Sequence, residues 1–328
     1  MISADPAELH PAARNRLTLA VDAGGTVLKG SVLLNGELVP GVEMKRPSCS
    51  QGSAADIIQG LAGSCLALLE TYQARYGTIG PDVDTCIGLA FPGPFDYAKG
   101  VALLRGVAKY EALYGLSVGS LLQEELTRLY TSLSTPATKA LASAPIAFGN
   151  DALLFGTGVS LLFPSERFIC LTLGTGLGSA FVAEGQVIAG KDGVPDNGML
   201  FAEPYGDGIA DHYFGRRGIL RMAADRGMET GDLDVADLAW AAANGDEGVR
   251  ELFQDYGRKL GELLLPYAAE FKPDRIVLGG QISNSCKLWE DAFHQVLCPL
   301  QVQIVQFPDA MSFVYKGIDR LFEVPDRN

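Results

Sequence analysis

The chain has 328 residues, more than one typical domain holds and enough for two. Hydrophobic residues make up 48% and charged residues 20%, which is an ordinary globular composition. A net charge of −13 and the lack of a long apolar run argue against a nucleic-acid partner and against a membrane partner, so we expect a cytoplasmic protein.

Strand signals recur along the chain after a polar start. Residues 1–16 contain two prolines and predict a mobile leader. Short apolar runs that end at turn-forming residues predict buried strands. These runs lie at 17–25, 29–35, 86–91, 145–151, 167–188 (three strands joined by glycine turns) and 274–280. The segment 189–209 predicts a loop.

Apolar residues at helical spacing predict helices between these strands. Ser53 and Asp56 fit a capping box at the start of the first helix, and Gly77 ends it. The predicted helices are 53–76, 120–133, 209–225, 235–243, 246–271, 285–297 and a last helix near the C-terminus. Alternating strands and helices indicate an α/β protein.

The 6 cysteines and 3 histidines are scattered along the chain. There is no C-x-x-C pair and no metal-ligand spacing among the histidines. We therefore expect buried free thiols in a reducing compartment rather than disulfides or a zinc site.

One internal repeat is visible at an offset of 149 residues. It superposes Gly25-Thr26 on Gly174-Thr175 and Gly36 on Gly185, and an apolar strand precedes each Gly-Thr pair. A duplicated domain with a ligand between its halves would explain the match. Chance similarity of two glycine-rich hairpins is the alternative.

The motif Asp22-Ala-Gly24-Gly25-Thr26 follows the first strand. Its two glycines let backbone N–H groups reach phosphate oxygens, and Thr26 adds a hydroxyl donor. Asp22 offers the kind of oxygen ligand that magnesium prefers, directly or through water. A plain hairpin turn capped by Asp22 is the competing interpretation, and the motif alone does not decide between the two.

Two further glycine motifs lie in the second half of the chain. In Gly174-Thr175-Gly176-Leu177-Gly178, repeated glycines inside a strand region indicate close approach of another group. The spacing differs from the dinucleotide fingerprint and from the P-loop, and the repeat favours a second phosphate turn over a bulge. Gly279-Gly280 would allow flat backbone contact with adenine or ribose, although most such pairs are only turns.

Asn150-Asp151 follow a buried strand. A carboxylate at the carboxyl end of such a strand faces a ligand crevice, where it could take a hydroxyl proton during attack on a γ-phosphate. The competing interpretation is that Asp151 only caps the following helix. Cys170, Met199 and the Tyr-rich segment 110–114 are interpreted as packing.

Together these residues resemble the ROK family of bacterial sugar kinases and repressors. The matching pieces occur in the family's order over roughly residues 17–321. They are Asp22-x-Gly24-Gly25-Thr26 with Lys29, Gly88-x-x-x-Pro92-Gly93, Asn150-Asp151-Ala152, Gly174-Thr175-Gly176-x-Gly178 and Val277-Leu-Gly279-Gly280.

The resemblance implies two actin-like (ribonuclease H-like) domains, each with a mixed sheet, and a ligand cleft between them. The domains would be 17–148, completed by a C-terminal helix over 311–324, and 149–310. Mg-ATP and a hexose or amino sugar would bind in the cleft. A homodimer is an expectation at the level of the family.

The resemblance also assigns roles. Asp151 would be the base, Asn150 would hold the sugar, and Pro92-Gly93 would line the sugar pocket. The two glycine turns, with Lys29 and Gly279-Gly280, would bind ATP, and Asp22 would hold Mg²⁺.

This sequence departs from the family pattern after the second glycine turn. Many members carry Gly-Glu-x-Gly-His and then a cysteine-rich zinc loop. Here the stretch is Gly193-Val-Pro-Asp-Asn-Gly-Met199, and no cysteine occurs between Cys170 and Cys286. We therefore predict no structural zinc, with Asp196, Asn197 or Glu203 as substitutes for the missing sugar ligands. The usual Glu of the following helix is replaced near Ala210 or Asp211.

The leading hypothesis is an ATP-dependent sugar kinase with Asp151 as general base. A non-catalytic sugar- or nucleotide-binding protein of the same family is the alternative. A repressor would need an N-terminal helix-turn-helix, for which only 16 residues precede the first predicted strand. Polyphosphate as donor would call for a basic groove, which the acidic composition does not suggest.

Overall fold

The computed structural model describes residues 15–80, 82–106, 109–231 and 233–323. Of the predicted leader over 1–16, only Asn15 and Arg16 fall within these residues, and both belong to the first strand. The chain divides into two compact units: the first ends at Gly149 and resumes at Leu321, and the second is Asn150–Arg320. No helix in the described part is long and apolar enough to cross a membrane.

The first unit follows the predicted alternation of strands and helices. Its strands are β1 (Asn15–Ala23), β2 (Val27–Leu34), β3 (Glu37–Pro47), β4 (Val83–Ala90), β5 (Phe95–Asp96), β6 (Val101–Ala102) and β7 (Ile146–Gly149). Its helices are α1 (Ala54–Tyr76), α2 (Val118–Leu133) and α3 (Pro136–Ala142), with a 3₁₀ turn at Glu111–Leu113. The predicted capping box is confirmed, because Ser53 and Asp56 each accept a hydrogen bond from the other's backbone N–H.

The main sheet of the first unit is mixed. Its strands lie in the order β3-β2-β1-β4-β7. The first three are antiparallel neighbours, whereas β4 and β7 continue the sheet parallel to β1. Helix α1 packs on the sheet with Leu61, Cys65 and Leu68 fully buried. Burial of each such leucine stabilises the unit by about 1.5–3 kcal/mol.

The second unit contains the remaining elements. Its strands are β8 (Arg167–Leu173), β9 (Leu177–Ala183), β10 (Gln186–Ile188), β11 (Pro204–Tyr205), β12 (Gly208–Ile209), β13 (Arg275–Gly279) and β14 (Gln303–Gln306). Its helices are α4 (Asp151–Val159), α5 (Asp211–Phe214), α6 (Arg216–Asp225), α7 (Val235–Ala243), α8 (Glu247–Phe271), α9 (Glu290–Leu297) and α10 (Ala310–Arg320). Two 3₁₀ segments lie at Ile282–Leu288 and Cys298–Leu300.

The sheet of the second unit has the same topology as that of the first. Its order is β10-β9-β8-β13-β14, with an antiparallel meander followed by two parallel strands. The turns that hold Gly25-Thr26 and Gly174-Thr175 occupy the same place, after the first strand of each meander. The predicted duplication is therefore confirmed at the level of topology.

Two predicted helices are interrupted in the structure. The helix expected over 209–225 is split by Gly215 into α5 and α6. The helix expected over 285–297 is a 3₁₀ segment and α9, separated at Trp289, whose backbone is not helical. At the first break the backbone of Gly215 is extended, and a Cβ there would lie only 2.7 Å from Gly176 in the β8–β9 turn, so the close approach of this turn requires glycine.

Helix α10 lies in the second unit, whereas the sequence analysis assigned 311–324 to the first domain. The helix packs along α4 at two glycines. A Cβ on Gly158 would lie 2.7 Å from the carbonyl carbon of Phe313, and one on Gly317 would lie 2.7 Å from that of Leu154. Glycine on both helices permits this approach, which an apolar pattern in one helix does not reveal.

Candidate functional site

Three parallel strands of the first unit end at one edge of its sheet. Ala90 in β4 pairs with Asp22 in β1 on one side and with Gly149 in β7 on the other. Since neighbouring strands lie about 4.8 Å apart, the backbones of Asp22 and Gly149 are separated by about 10 Å. Asn150-Asp151 follow Gly149 directly along the chain. This carboxyl edge is where ligands bind in open α/β sheets.

The turn between β1 and β2 requires its first glycine. A Cβ on Gly24 would lie 2.6 Å from the backbone oxygen of Val27, so any side chain there would displace the turn. A Cβ on Gly25 would meet the aliphatic part of the Lys109 side chain at 3.0 Å, and that side chain can move. Packing within the fold therefore requires glycine at position 24, but it gives only a weak reason for glycine at position 25.

Hydroxyl groups hold the carbonyl oxygens of this turn. Tyr110 donates to the oxygen of Gly24 at 2.8 Å. Ser48 donates to the oxygen of Gly25 at 2.8 Å, and the Ser50 hydroxyl donates to the same oxygen. The three donating residues are buried, with exposures of 0%, 2% and 6% for Tyr110, Ser48 and Ser50. The turn is thus fixed from its protein side.

Asp22 and Lys29 are direct cross-strand partners on β1 and β2, and both are half-buried. Side chains at such positions lie on the same face of the sheet. No group of three or more His, Cys, Asp or Glu residues within the described ranges could hold a metal ion. A single carboxylate still suits Mg²⁺, because this ion usually takes one or two protein carboxylates and completes its shell with water and substrate phosphates.

Asn150, rather than Asp151, is the N-cap of α4. Its side-chain oxygen accepts the backbone N–H groups of Ala152 at 3.0 Å and Leu153 at 3.2 Å. Asp151 is the first helical residue, is exposed, and accepts the Ala152 N–H at 2.9 Å with one carboxylate oxygen. The capping alternative therefore applies mainly to Asn150, and the positive end of α4 favours a negative charge on Asp151.

Pro92 and Gly93 follow β4 at the same edge of the first sheet. Pro92 is half-buried and Gly93 is exposed. The hydroxyl of Tyr97 donates to the backbone oxygen of Phe91 at 3.0 Å and lies 3.3 Å from a Cβ built on Gly93. This tyrosine closes the loop onto the end of β4, so Gly93 sits in a defined conformation.

The turn between β8 and β9 is held by α5 and α6. Asp211 accepts the backbone N–H of Leu177 at 2.8 Å, and the Arg216 N–H donates to the oxygen of Gly174 at 2.9 Å. A Cβ on Gly176 would collide with the Asp211 carboxylate, whereas one on Gly174 would meet nothing described within 4 Å. The fold thus explains Gly176 and leaves the space beside Gly174 open.

Contacts within the second unit also explain other glycines of the predicted nucleotide site. A Cβ on Gly178 would lie 2.8 Å from that of Ala152. One on Gly279 would lie 2.8 Å from the ring of Phe155. Gly280 has a φ of +87°, which favours glycine. These three glycines are needed for packing or backbone conformation, so their contact with ATP stays a prediction.

Comparison with known proteins identifies the family. The model of the ROK family matches residues 137–310, which is more than half of the chain. The chain belongs to the ROK family. A glucokinase of Thermotoga maritima is 23% identical over 313 residues, covering 88% of this chain and 87% of the relative. An N-acetylmannosamine kinase of Escherichia coli is 24% identical over 279 residues, covering 81% and 83%.

A solved structure shows that this ROK protein has the family's fold. The ROK glucokinase of Streptomyces griseus, crystallised with glucose and AMPPNP, superposes with a TM-score of 0.68 at 18% identity. The match covers 93% of this chain and 98% of that one. The expected α/β class with two actin-like domains, each built on a mixed sheet, is therefore confirmed.

The residues proposed to replace the missing sugar ligands differ in their surroundings in this ROK protein. Asp196 and Asn197 are exposed, and Asn197 accepts the backbone N–H of Met199 at 2.8 Å. Glu203 is half-buried and accepts the hydroxyl of Tyr267 at 2.6 Å. Burial, and then the adjacent Glu203, raise the pKa of Tyr267, so its hydroxyl stays a donor. Glu203 is thus held in place, whereas the other two side chains lie at the surface.

The sequence analysis missed the hydroxyls that hold the first turn. Tyr110 was interpreted as packing, and its ring does pack on Phe91 at 4.9 Å between centroids. Its hydroxyl reaches a turn 86 residues earlier in the chain. The pattern Ser48-Cys-Ser50 after a strand was the available signal, because closely spaced hydroxyls beside a glycine turn can serve its carbonyl groups.

Proposed function

We propose that this ROK protein transfers the γ-phosphate of ATP to a hydroxyl of a hexose or hexose derivative. The observation that carries the proposal is the register of the first sheet, in which Ala90 pairs with both Asp22 and Gly149. This register brings the end of β1, which leads into the phosphate turn, to the same edge as the strand that Asn150-Asp151 follow. The kinases among its relatives support the same reaction class.

The first turn would bind phosphate oxygens through the backbone N–H groups of Gly25 and Thr26, with Lys29 as a nearby cation. Gly174, Thr175 and Gly176 would provide the corresponding turn of the second unit. Mg²⁺ held by Asp22, directly or through water, would neutralise charge on the phosphates. Positioning and charge neutralisation supply most of the catalysis in phosphoryl transfer.

Asp151 would accept the proton of the attacking hydroxyl. It is an exposed carboxylate at the start of α4, and Asn150 already caps that helix, so the fold does not depend on Asp151 for capping. Asn150 and the Pro92-Gly93 loop would contact the sugar, together with Glu203 and the exposed Asp196 and Asn197.

The test measures ADP release with ATP and a panel of hexoses and N-acetylhexosamines. Asp151→Asn should lower kcat by about 10²- to 10⁴-fold, the usual contribution of a positioned base, with little change in KM for ATP. Glu247→Gln is the matched control, because it also removes an exposed carboxylate from the first position of a helix. Equal turnover of Asp151→Asn and wild type would rule out Asp151 as the base.

A non-catalytic sugar- or nucleotide-binding protein is the second candidate. The departures over 193–199 favour it, as does the engagement of Glu203 by Tyr267. Calorimetry that shows sugar or ATP binding, with no phosphorylated product from any sugar of the panel, would select this candidate over the kinase.

A further inference from the structure

Three buried hydroxyls converge on two successive carbonyl groups of the β1–β2 turn. The hydroxyl of Tyr110 donates to the carbonyl oxygen of Gly24, and the hydroxyls of Ser48 and Ser50 donate to that of Gly25. An ordinary hairpin turn leaves such carbonyls to water. Here the donors are three buried residues from two separate segments of the chain. Their convergence indicates that the fold fixes the orientation of these two peptide groups.

The geometry of the peptide bond fixes what this orientation achieves. The bonds after Gly24 and Gly25 are trans, and in a trans peptide the C=O and the following N–H point in opposite directions. The hydroxyls hold the two oxygens on the side of the turn where Ser48, Ser50 and Tyr110 lie, so the N–H groups of Gly25 and Thr26 face the opposite side. A hydrogen bond to a carbonyl also polarises the peptide and strengthens its N–H as a donor.

The segments that carry the hydroxyls are themselves tied to the turn. The N–H of Ser48 donates to the oxygen of Thr26 at 3.0 Å, and the N–H of Tyr110 donates to the oxygen of Ser50 at 2.6 Å. Cys49 and Tyr110 adopt positive φ values of 49° and 58°, which non-glycine residues rarely do. Such conformations persist where surrounding contacts over-determine them, often at ligand sites.

Tyr110 keeps its proton under ordinary conditions. Burial raises its pKa, and the carboxylate of Asp22 acts in the same direction. The hydroxyl is therefore a permanent donor to Gly24 rather than a group that titrates.

We propose that Tyr110, Ser48 and Ser50 are positioning residues, which hold the carbonyls of Gly24 and Gly25 so that the next two N–H groups face the phosphates of a nucleoside triphosphate. The proposal rests on the proposed function insofar as that function makes ATP the ligand of this turn. It adds that affinity for the phosphate chain depends on hydroxyls that do not touch the nucleotide.

The decisive variant is Tyr110→Phe, which keeps the ring against Phe91 and removes only the hydroxyl. Titration calorimetry compares binding of ATP with binding of adenosine, which has no phosphate for the turn to hold. We expect Kd for ATP to rise by about 3- to 10-fold, as for loss of one buried hydrogen bond, and Kd for adenosine to stay unchanged. Ser31→Ala is the control in the same unit, since Ser31 is also buried and its hydroxyl also donates to a backbone oxygen, that of Val42, so that Kd for ATP should stay unchanged.

A second variant, Ser48→Ala combined with Ser50→Ala, should show the same selective loss and covers the case in which Tyr110→Phe does not fold. Equal weakening of ATP and adenosine, unchanged ATP affinity, or no ATP binding by the wild-type chain would overturn the proposal. Failure of the proposed function has a different signature: the wild type binds ATP, the variants bind it less well, and no sugar is phosphorylated.

Discussion

The contact between α4 and α10 offers a sharp test of the packing in the second unit. Gly317 on α10 faces the backbone of Leu154 on α4. Replacing it by alanine would place a Cβ 2.7 Å from the carbonyl carbon of Leu154 and closer still to its oxygen. Restoring the 3.4 Å of ordinary contact to the carbon alone needs about 0.7 Å of separation, and the closer oxygen requires the two helices to move apart further than that.

Two opposing terms set the size of the effect. Alanine gains about 1 kcal/mol of helix propensity over glycine. Overpacking costs about 1–3 kcal/mol, and the upper end applies here because the obstacle is backbone, which cannot rotate away. Gly317→Ala should therefore reduce the free energy of unfolding of the second unit by about 2 kcal/mol.

Tryptophan fluorescence during urea unfolding measures this change. Both tryptophans of the chain, Trp240 and Trp289, lie in the second unit, and Trp289 is fully buried. With an m-value of about 2 kcal/mol/M, the midpoint should fall by about 1 M. Gly248→Ala is the control in the same unit, since its Cβ would make only ordinary contacts, at 3.5 and 3.6 Å, on exposed helix. An unchanged or raised midpoint for Gly317→Ala would refute the packing argument.

Two further measurements address charge and thiols. Partial burial alone would raise the pKa of Asp255, but hydrogen bonds from Lys259 and Arg226 prevail and lower it to about 2 from 3.8. A lowered folded-state pKa stabilises the protein above pH 4 and this stability is lost as the pH falls through 2, so Asp255→Asn should lower the urea midpoint at pH 7 and have little effect near pH 2. A similar deficit at both pH values would contradict the electrostatic explanation. In the native state, dithionitrobenzoate should label the exposed thiols of Cys49 and Cys298 rapidly. The four buried thiols should react only after unfolding. More than two rapidly labelled thiols would show that the buried ones are accessible.

The sequence predicted those parts of the molecule that rest on local chemistry. Short apolar runs located β1 and β2 of the first meander and all three strands of the second, whereas β3 (Glu37–Pro47) was not predicted. The pair Ser53 and Asp56 located the start of α1, because a capping box involves residues three apart. The repeat of Gly25-Thr26 at Gly174-Thr175 predicted two units of one topology, which the strand orders confirm. The ordered motifs also predicted the ROK family.

The sequence was less informative where one residue type serves several physical purposes. Glycine in Gly279-Gly280 predicted contact with a nucleotide, yet the ring of Phe155 and a φ of +87° suffice to require it. Asn150 was assigned to the sugar, and the structure shows its side-chain oxygen capping α4. A pattern of residue types cannot separate contact with a ligand from packing, backbone conformation or helix capping, because each of these can require the same residue type.

The sequence by itself thus determined most of the longer strands and the helix start at Ser53, since these depend on residues a few positions apart. The repeat at an offset of 149 residues indicated the duplicated topology. Tertiary structure alone decided the pairing of Ala90 with both Asp22 and Gly149, the packing of α10 on α4, and the hydrogen bond from Tyr110 to Gly24. The physical reason is separation along the chain. A contact between residues 86 positions apart depends on how every intervening element packs, and it leaves no periodic trace in either segment.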